Sequence, residues 1–176
     1  MKIIWIDTET SGPDAFDQVI ELGWVCSESK GSHLYKLPEH SEIHPSNSAL
    51  TGITKDELDR DGLDMFVLPT VFVGKVWCSY NLQYDVDWIN LTLLANEQPP
   101  LNDVPGVCLA DVYKEYLDNN YPISMQRVLA IIKSERIVAH RAYQDALDHY
   151  HLFQHIKNNA PLLLKKHLKL HNPKPV

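Results

Sequence analysis

Ile3-Ile4-Trp5-Ile6-Asp7-Thr8-Glu9-Thr10 opens with four apolar residues in a row and then turns acidic. Unbroken apolarity marks a strand covered on both faces, so the stretch predicts a central strand with helices on either side of its sheet. Side chains alternate faces along an extended chain, which sends Asp7 and Glu9 out of the same side. A third carboxylate, Asp85, follows Tyr80-Asn81-Leu82-Gln83-Tyr84, and a fourth, Asp145, closes His140-Arg141-Ala142-Tyr143-Gln144-Asp145. Like charges brought together repel unless a cation stands between them. Hard oxygen donors suit a divalent ion, so these residues form a candidate metal site.

At 176 residues the chain has the length of a single domain (1–176), able to bury roughly two-thirds of its unfolded surface. Hydrophobic residues at 44% and charged residues at 22% are ordinary for a soluble globular protein. No stretch nears the roughly 18 apolar residues that cross a bilayer, and the N-terminal run, interrupted by Asp7, has no signal-peptide pattern. A cytoplasmic protein with no membrane attachment is the expectation. Cys26, Cys78 and Cys108 are odd in number and form no CxxC pair, so they read as reduced, half-buried hydrophobes. The net charge of −7 argues against a protein that wraps a long duplex through its phosphates, which normally takes a basic face. For a nucleic-acid enzyme it argues for a short footprint, at one strand end.

Outward from the first strand, the pattern predicts strands over 18–27, around 33–37 and over 75–79. Thr54 with Glu57 three residues on forms a capping box that starts a short helix. The segment 41–45 reads as an irregular connection or short strand, and 65–73, with Pro69 near its middle, as a helical piece or a loop. Helices are expected over 82–96, 108–117, 124–133 and 142–157. Asp87 and Asp148 read as solvent-facing acids, and the chain from about 161, including Lys165-Lys166-His167-Leu168-Lys169, as a short basic tail. Strands first and helices later indicate an α/β or α+β fold.

Asp7-Thr8-Glu9-Thr10-Ser11-Gly12 resembles the first motif of the DEDDh (DnaQ-like) 3′–5′ exonucleases. Ser79-Tyr80-Asn81-Leu82-Gln83-Tyr84-Asp85 is similar to the second, and His140-Arg141-Ala142-x-x-Asp145 to the third. Glu21-Leu22-Gly23 and Gly52-Ile53-Thr54-x-x-Glu57-Leu58 resemble intervening family segments. The resemblance implies an α/β, ribonuclease-H-like fold, a five-stranded mixed sheet flanked by helices. It also implies two Mg²⁺ ions, with Mn²⁺ as a substitute. Asp7 would bridge them, Glu9 and Asp145 would hold the ion that activates water, Asp85 would serve the second, and His140 would be the general base. Thr8, Thr10, Ser11, Tyr80 and Asn81 would hold the terminal nucleotide of a single-stranded 3′ end. Tyr80 departs from the histidine usual in that motif.

Bland alternatives exist for each residue. Asp85 also fits a helix first-turn acid, Asp145 an ordinary helix-surface acid, and His140 is one of nine histidines. Tyr84 and Trp88 fit core packing better than base stacking. Thr8 between the two acids resembles the DNA-proofreading members, whereas oligoribonucleases carry leucine there. A single-stranded DNA exonuclease is therefore the expectation, with an RNA-trimming exoribonuclease as its main rival. A non-catalytic binding module and a ribonuclease-H-like endonuclease remain as further alternatives. A polymerase or another replication or repair protein is a partner that the resemblance allows.

Overall fold

A computed structural model describes residues 2–14, 16–135 and 138–174. β1 (Ile3–Thr10) pairs antiparallel with β2 (Val19–Cys26), which pairs antiparallel with β3 (Lys30–Leu34). On its other side β1 runs parallel to β4 (Val76–Ser79), and β4 runs parallel to β5 (Val104–Cys108). An antiparallel β6 (Leu168–His171) closes that flank, giving the order β3-β2-β1-β4-β5-β6 among the described residues. The mixed α/β sheet is as expected, but it has six strands where five were expected.

The alternation of β1 divides the core. Ile4 and Ile6 join Leu22, Trp24 and Trp77 on one face, covered by Leu82, Val86, Ile89 and Leu93 of α3 (Leu82–Ala95). Trp5 joins Val25, Cys78 and Val107 on the other face. That face is covered by α4 (Leu109–Tyr116), α5 (Met125–Ile131), α6 (Ala142–Asn159) and α7 (Pro161–Lys166). Ile4 and Ile6 are fully buried, each stabilising the fold by roughly 1.5–3 kcal/mol relative to exposure. Coverage on both faces is the physical reason for the apolar run.

A smaller cluster of Ile20, Leu37, Ile53 and Leu58 ties β2 to α2 (Lys55–Asp61) and to the connection that follows α1 (Pro45–Thr51). Thr54 caps α2 as its spacing required, its Oγ1 accepting the Glu57 N–H at 3.2 Å. The segment 65–73 is a loop with one 3-10 turn at Thr70–Phe72, pinned by buried Phe66 and Phe72. No helix among the described residues is long and apolar enough to cross a membrane. The three cysteines are free thiols, Cys78 and Cys108 buried and Cys26 half-buried.

Three expectations need correction. The stretch from 161 to 171 is α7 and β6, not a solvated tail. β5 offers an open ladder, and acids on α4 draw in the lysines: Lys166 pairs with Glu115 at 2.7 Å and Lys169 with Asp111 at 3.1 Å. Asp148 is buried, because it follows Asp145 by three residues and shares the helix face packed on the sheet. Asp87 is half-buried, accepting Lys174 Nζ at 3.0 Å and Gln83 Nε2 at 2.8 Å.

β2 and α6 meet at Gly23. A Cβ there would lie 2.1 Å from the carbonyl carbon of Ala142, so only glycine lets the first turn of α6 sit on the strand. Gly23→Ala is expected to destabilise the protein by about 1–3 kcal/mol, the usual cost of overpacking, in thermal or denaturant melts. An unchanged midpoint would show that this contact yields freely.

Candidate active site

β1 runs past its last core residue, Ile6, into the acidic half of its sequence. Asp7 and Glu9 follow Trp5 onto the α6 face, while Thr8 follows Ile4 and Ile6 onto the α3 face. Thr8 Oγ1 donates to Asp85 Oδ1 at 2.8 Å. Asp85, in the first turn of α3, also accepts Ser79 Oγ from the end of β4 at 2.6 Å. Three elements thus fix one carboxylate. Asp145 lies in the first turn of α6, and its Oδ1 accepts the Ala139 N–H at 3.1 Å, folding the preceding chain back on the helix. In that bend stands His140, at φ 50°, a left-handed conformation that non-glycine residues adopt at some cost. One potential ligand atom from each of Glu9, His140 and Asp145 lies within 4.8 Å of the others.

Electrostatics knit the remaining carboxylates into the same pocket. Burial pushes the Asp7 carboxyl well above the usual range, and Asp85, Glu9 and Asp145 push it further. Burial and then Asp145 raise Glu9 to about 8. Burial raises Asp85 to about 7, although the hydroxyls of Ser79 and Thr8 favour its charged form. Asp145 is raised by burial, with the Ala139 N–H and His140 opposing. Four carboxylates and one imidazole, with the Cys78 and Cys108 thiols held in the core, are a hard donor set that fits a divalent cation.

Several neighbours lie outside the motif positions. His149, one helical turn beyond Asp145, is fully buried and donates through Nδ1 to the Ile6 carbonyl at 2.7 Å. Its Nε2 has no hydrogen-bond partner and faces Asp7 Oδ1 at 3.8 Å. Burial lowers its pKa to about 4, so the ring is neutral around pH 7. Its i,i+4 spacing from Asp145 was the available signal. Asn47 of α1 donates through Nδ2 to the Thr10 carbonyl at 3.1 Å, and the Tyr84 hydroxyl is 3.5 Å from Thr10 Oγ1. Asn47 carries no local pattern that could have singled it out. Tyr84 is 43% exposed, whereas Trp88 is core. Ser11 Oγ is tied to Asp17 at 2.7 Å, and the Tyr80 hydroxyl donates to the Ile123 carbonyl, away from the carboxylates. Asn81 is exposed at the start of α3, and its side chain makes no capping bond.

The exonuclease family RNase T matches residues 4–153, a span that holds all four carboxylates and His140. The chain belongs to this family. It is accordingly an exonuclease of DEDDh type, a metal-dependent hydrolase acting on nucleic acid. The match ends before α7 and β6. Among solved structures, the RNase T fold here is similar to exonuclease X in complex with 5′-overhanging duplex DNA. That likeness has a TM-score of 0.71 and 18% identity, covering 94% of this chain and 97% of that one. Exonuclease I of E. coli with a dA16 oligonucleotide gives 0.76 and 18% identity over 94% of this chain. This family exonuclease spans only 42% of that protein. The nuclease domain of 3′hExo, a DEDDh family member bound to rAMP, gives 0.72 and 13% identity, covering 98% of this chain and 97% of that one. Comparison with curated protein sequences gave no significant match.

The raised carboxyls make a pH prediction for the metal-free exonuclease. Unfolded, Asp85 and Glu9 titrate near 3.8 and 4.5; folded, near 7 and 8. Folded-state pKa values above the unfolded ones mean a contribution present at low pH and lost as pH rises through the folded values. In chelator, melting should therefore be higher near pH 5.5 than near pH 8.5, and added Mg²⁺ should raise it mainly at the higher pH. Equal melting in chelator, with no gain from Mg²⁺, would show that the cluster neither repels itself nor binds the ion.

Proposed function

We propose that the protein hydrolyses the terminal phosphodiester at the 3′ end of single-stranded DNA, releasing nucleoside monophosphates with two Mg²⁺ ions, which Mn²⁺ can replace. The observation that carries this reading is the gathering of Glu9, His140 and Asp145 ligand atoms within 4.8 Å, with Asp7 and Asp85 in the same electrostatic pocket. Bound divalent ions of this kind activate water and offset charge on phosphorus and on the departing oxygen. Asp7 would bridge the pair, Glu9 and Asp145 would hold one ion, and Asp85 would serve the other.

The chain's own groups do the rest. His140 takes the proton from the attacking water, a role suited to an imidazole around neutral pH. Thr8 holds Asp85 in place through its hydroxyl, so its contact with substrate is left to the backbone. Thr10, flanked by Asn47 and Tyr84, cradles the terminal nucleotide, with Asn81 and the backbones of Ser11 and Tyr80 bordering the groove. The net charge of −7 supports a footprint confined to that end. Thr8 between the acids and the DNA-bound exonucleases X and I support DNA. The rAMP-bound 3′hExo domain supports RNA trimming as a second reading.

On 5′-labelled oligonucleotides with Mg²⁺, the products should form a ladder shortening from the 3′ end, and a chelator or a blocked 3′ end should abolish it. Cutting of circular single strands would move the assignment to an endonuclease. Asp7→Ala should be inactive, and full activity there would sink the metal assignment. His140→Ala should retain metal binding while turnover falls by roughly two to four orders of magnitude; an unchanged rate would mean another base. Matched DNA and RNA strands in competition should favour DNA, and preference for RNA would select the second reading.

A further inference from the structure

Glu21 of β2 is 2% exposed, and a buried carboxylate is costly unless its oxygens are satisfied. Here they are satisfied by groups drawn from distant elements. Ser32 Oγ of β3 donates at 2.8 Å, Arg141 Nε at 2.9 Å and the Ala142 N–H at 3.1 Å. The last two lie at the start of α6. Arg141 occupies the N-cap position of that helix and its side chain makes no capping bond, so Glu21 supplies the acceptor from the strand on which α6 packs. A second arm of the same guanidinium reaches Glu57 Oε1 of α2 at 3.4 Å. Gly23, two residues along the same face of β2, admits the Ala142 backbone at a distance no side chain would allow.

His140 directly precedes this anchored pair and is held from the other side as well, because Ala139 donates to Asp145. Its φ of 50° is thus imposed at both ends. Glu21 also stands opposite Glu9 in the β1–β2 register, where two like charges would repel. The Arg141 charge beside them lowers the pKa of Glu9 and so eases that repulsion. Glu21 itself lies outside the Glu9–His140–Asp145 group, and its oxygens are already committed.

We propose that Glu21 is a positioning residue for hydrolysis: through Arg141 and the first turn of α6 it sets where the His140 ring stands relative to Glu9 and Asp145. The proposal rests on His140 being the base. A group that acts through another loses its effect once that other group is gone. A double-mutant cycle of Glu21→Gln and His140→Ala therefore separates positioning from general destabilisation. It is read by steady-state and single-turnover digestion of a 5′-labelled oligonucleotide, with a 3′-blocked strand as control.

Glu21→Gln alone is expected to lower kcat roughly ten- to a hundredfold, the scale of a misplacement near 1 Å, with KM changed less than about threefold. In the His140→Ala background the same change should alter the rate less than about twofold. An equal loss in both backgrounds, or an unchanged kcat in Glu21→Gln, would overturn the positioning role. A normal rate in His140→Ala alone would instead remove the base assignment, so the two failures are told apart. Should Glu21→Gln not fold, Glu57→Gln at the outer arm of Arg141 runs the same cycle. A loss of a few fold that needs His140 supports the proposal; no loss, or a loss in both backgrounds, ends it.

Discussion

Mutual repulsion among Asp7, Glu9, Asp85 and Asp145 is the constraint around which the molecule is organised. A fold does not gain stability by gathering four acids in a part-buried pocket, where burial pushes all four pKa values upward and neighbouring carboxylates push Asp7 and Glu9 further. A divalent cation among the carboxylates would relieve that strain. Sites whose groups are expensive to hold and whose partners come from outside are where function concentrates.

The surrounding scaffold answers the strain with specific bonds. Asp85 takes hydroxyl donors from β1 and β4, so the second motif is registered to the first through the sheet. Asp145 takes a backbone N–H from its own loop. Glu21, Arg141 and Gly23 seat α6 on β2. Each carboxylate that faces the pocket is therefore backed by an element whose own position is over-determined, as a preorganised site demands. His149 completes the arrangement as a neutral ring wedged between the Ile6 carbonyl and Asp7.

The family match ends at residue 153, and α7 and β6 beyond it add to the sheet edge rather than to the site. β6 covers the β5 ladder, and Lys166 and Lys169 neutralise acids of α4. β6 thereby becomes the edge strand of the sheet on that flank.

Local pattern was enough for whatever depends on one element. Alternation along 3–10 put Asp7 and Glu9 on a common face, the capping box began α2, and apolar spacing outlined α3 and α6 within two or three residues. Ordered motifs then made the family and its mixed sheet legible. Tertiary structure alone decided what depends on two elements meeting. β6 exists because a four-residue stretch finds an open ladder more than sixty residues back in the chain. Asp148 and His149 are buried because α6 turns that face to β1, and Asn47 joins the site because α1 docks beside Thr10. The reason is physical: periodicity records which side of an element is apolar, whereas the partner across that side comes from contacts that no local pattern carries.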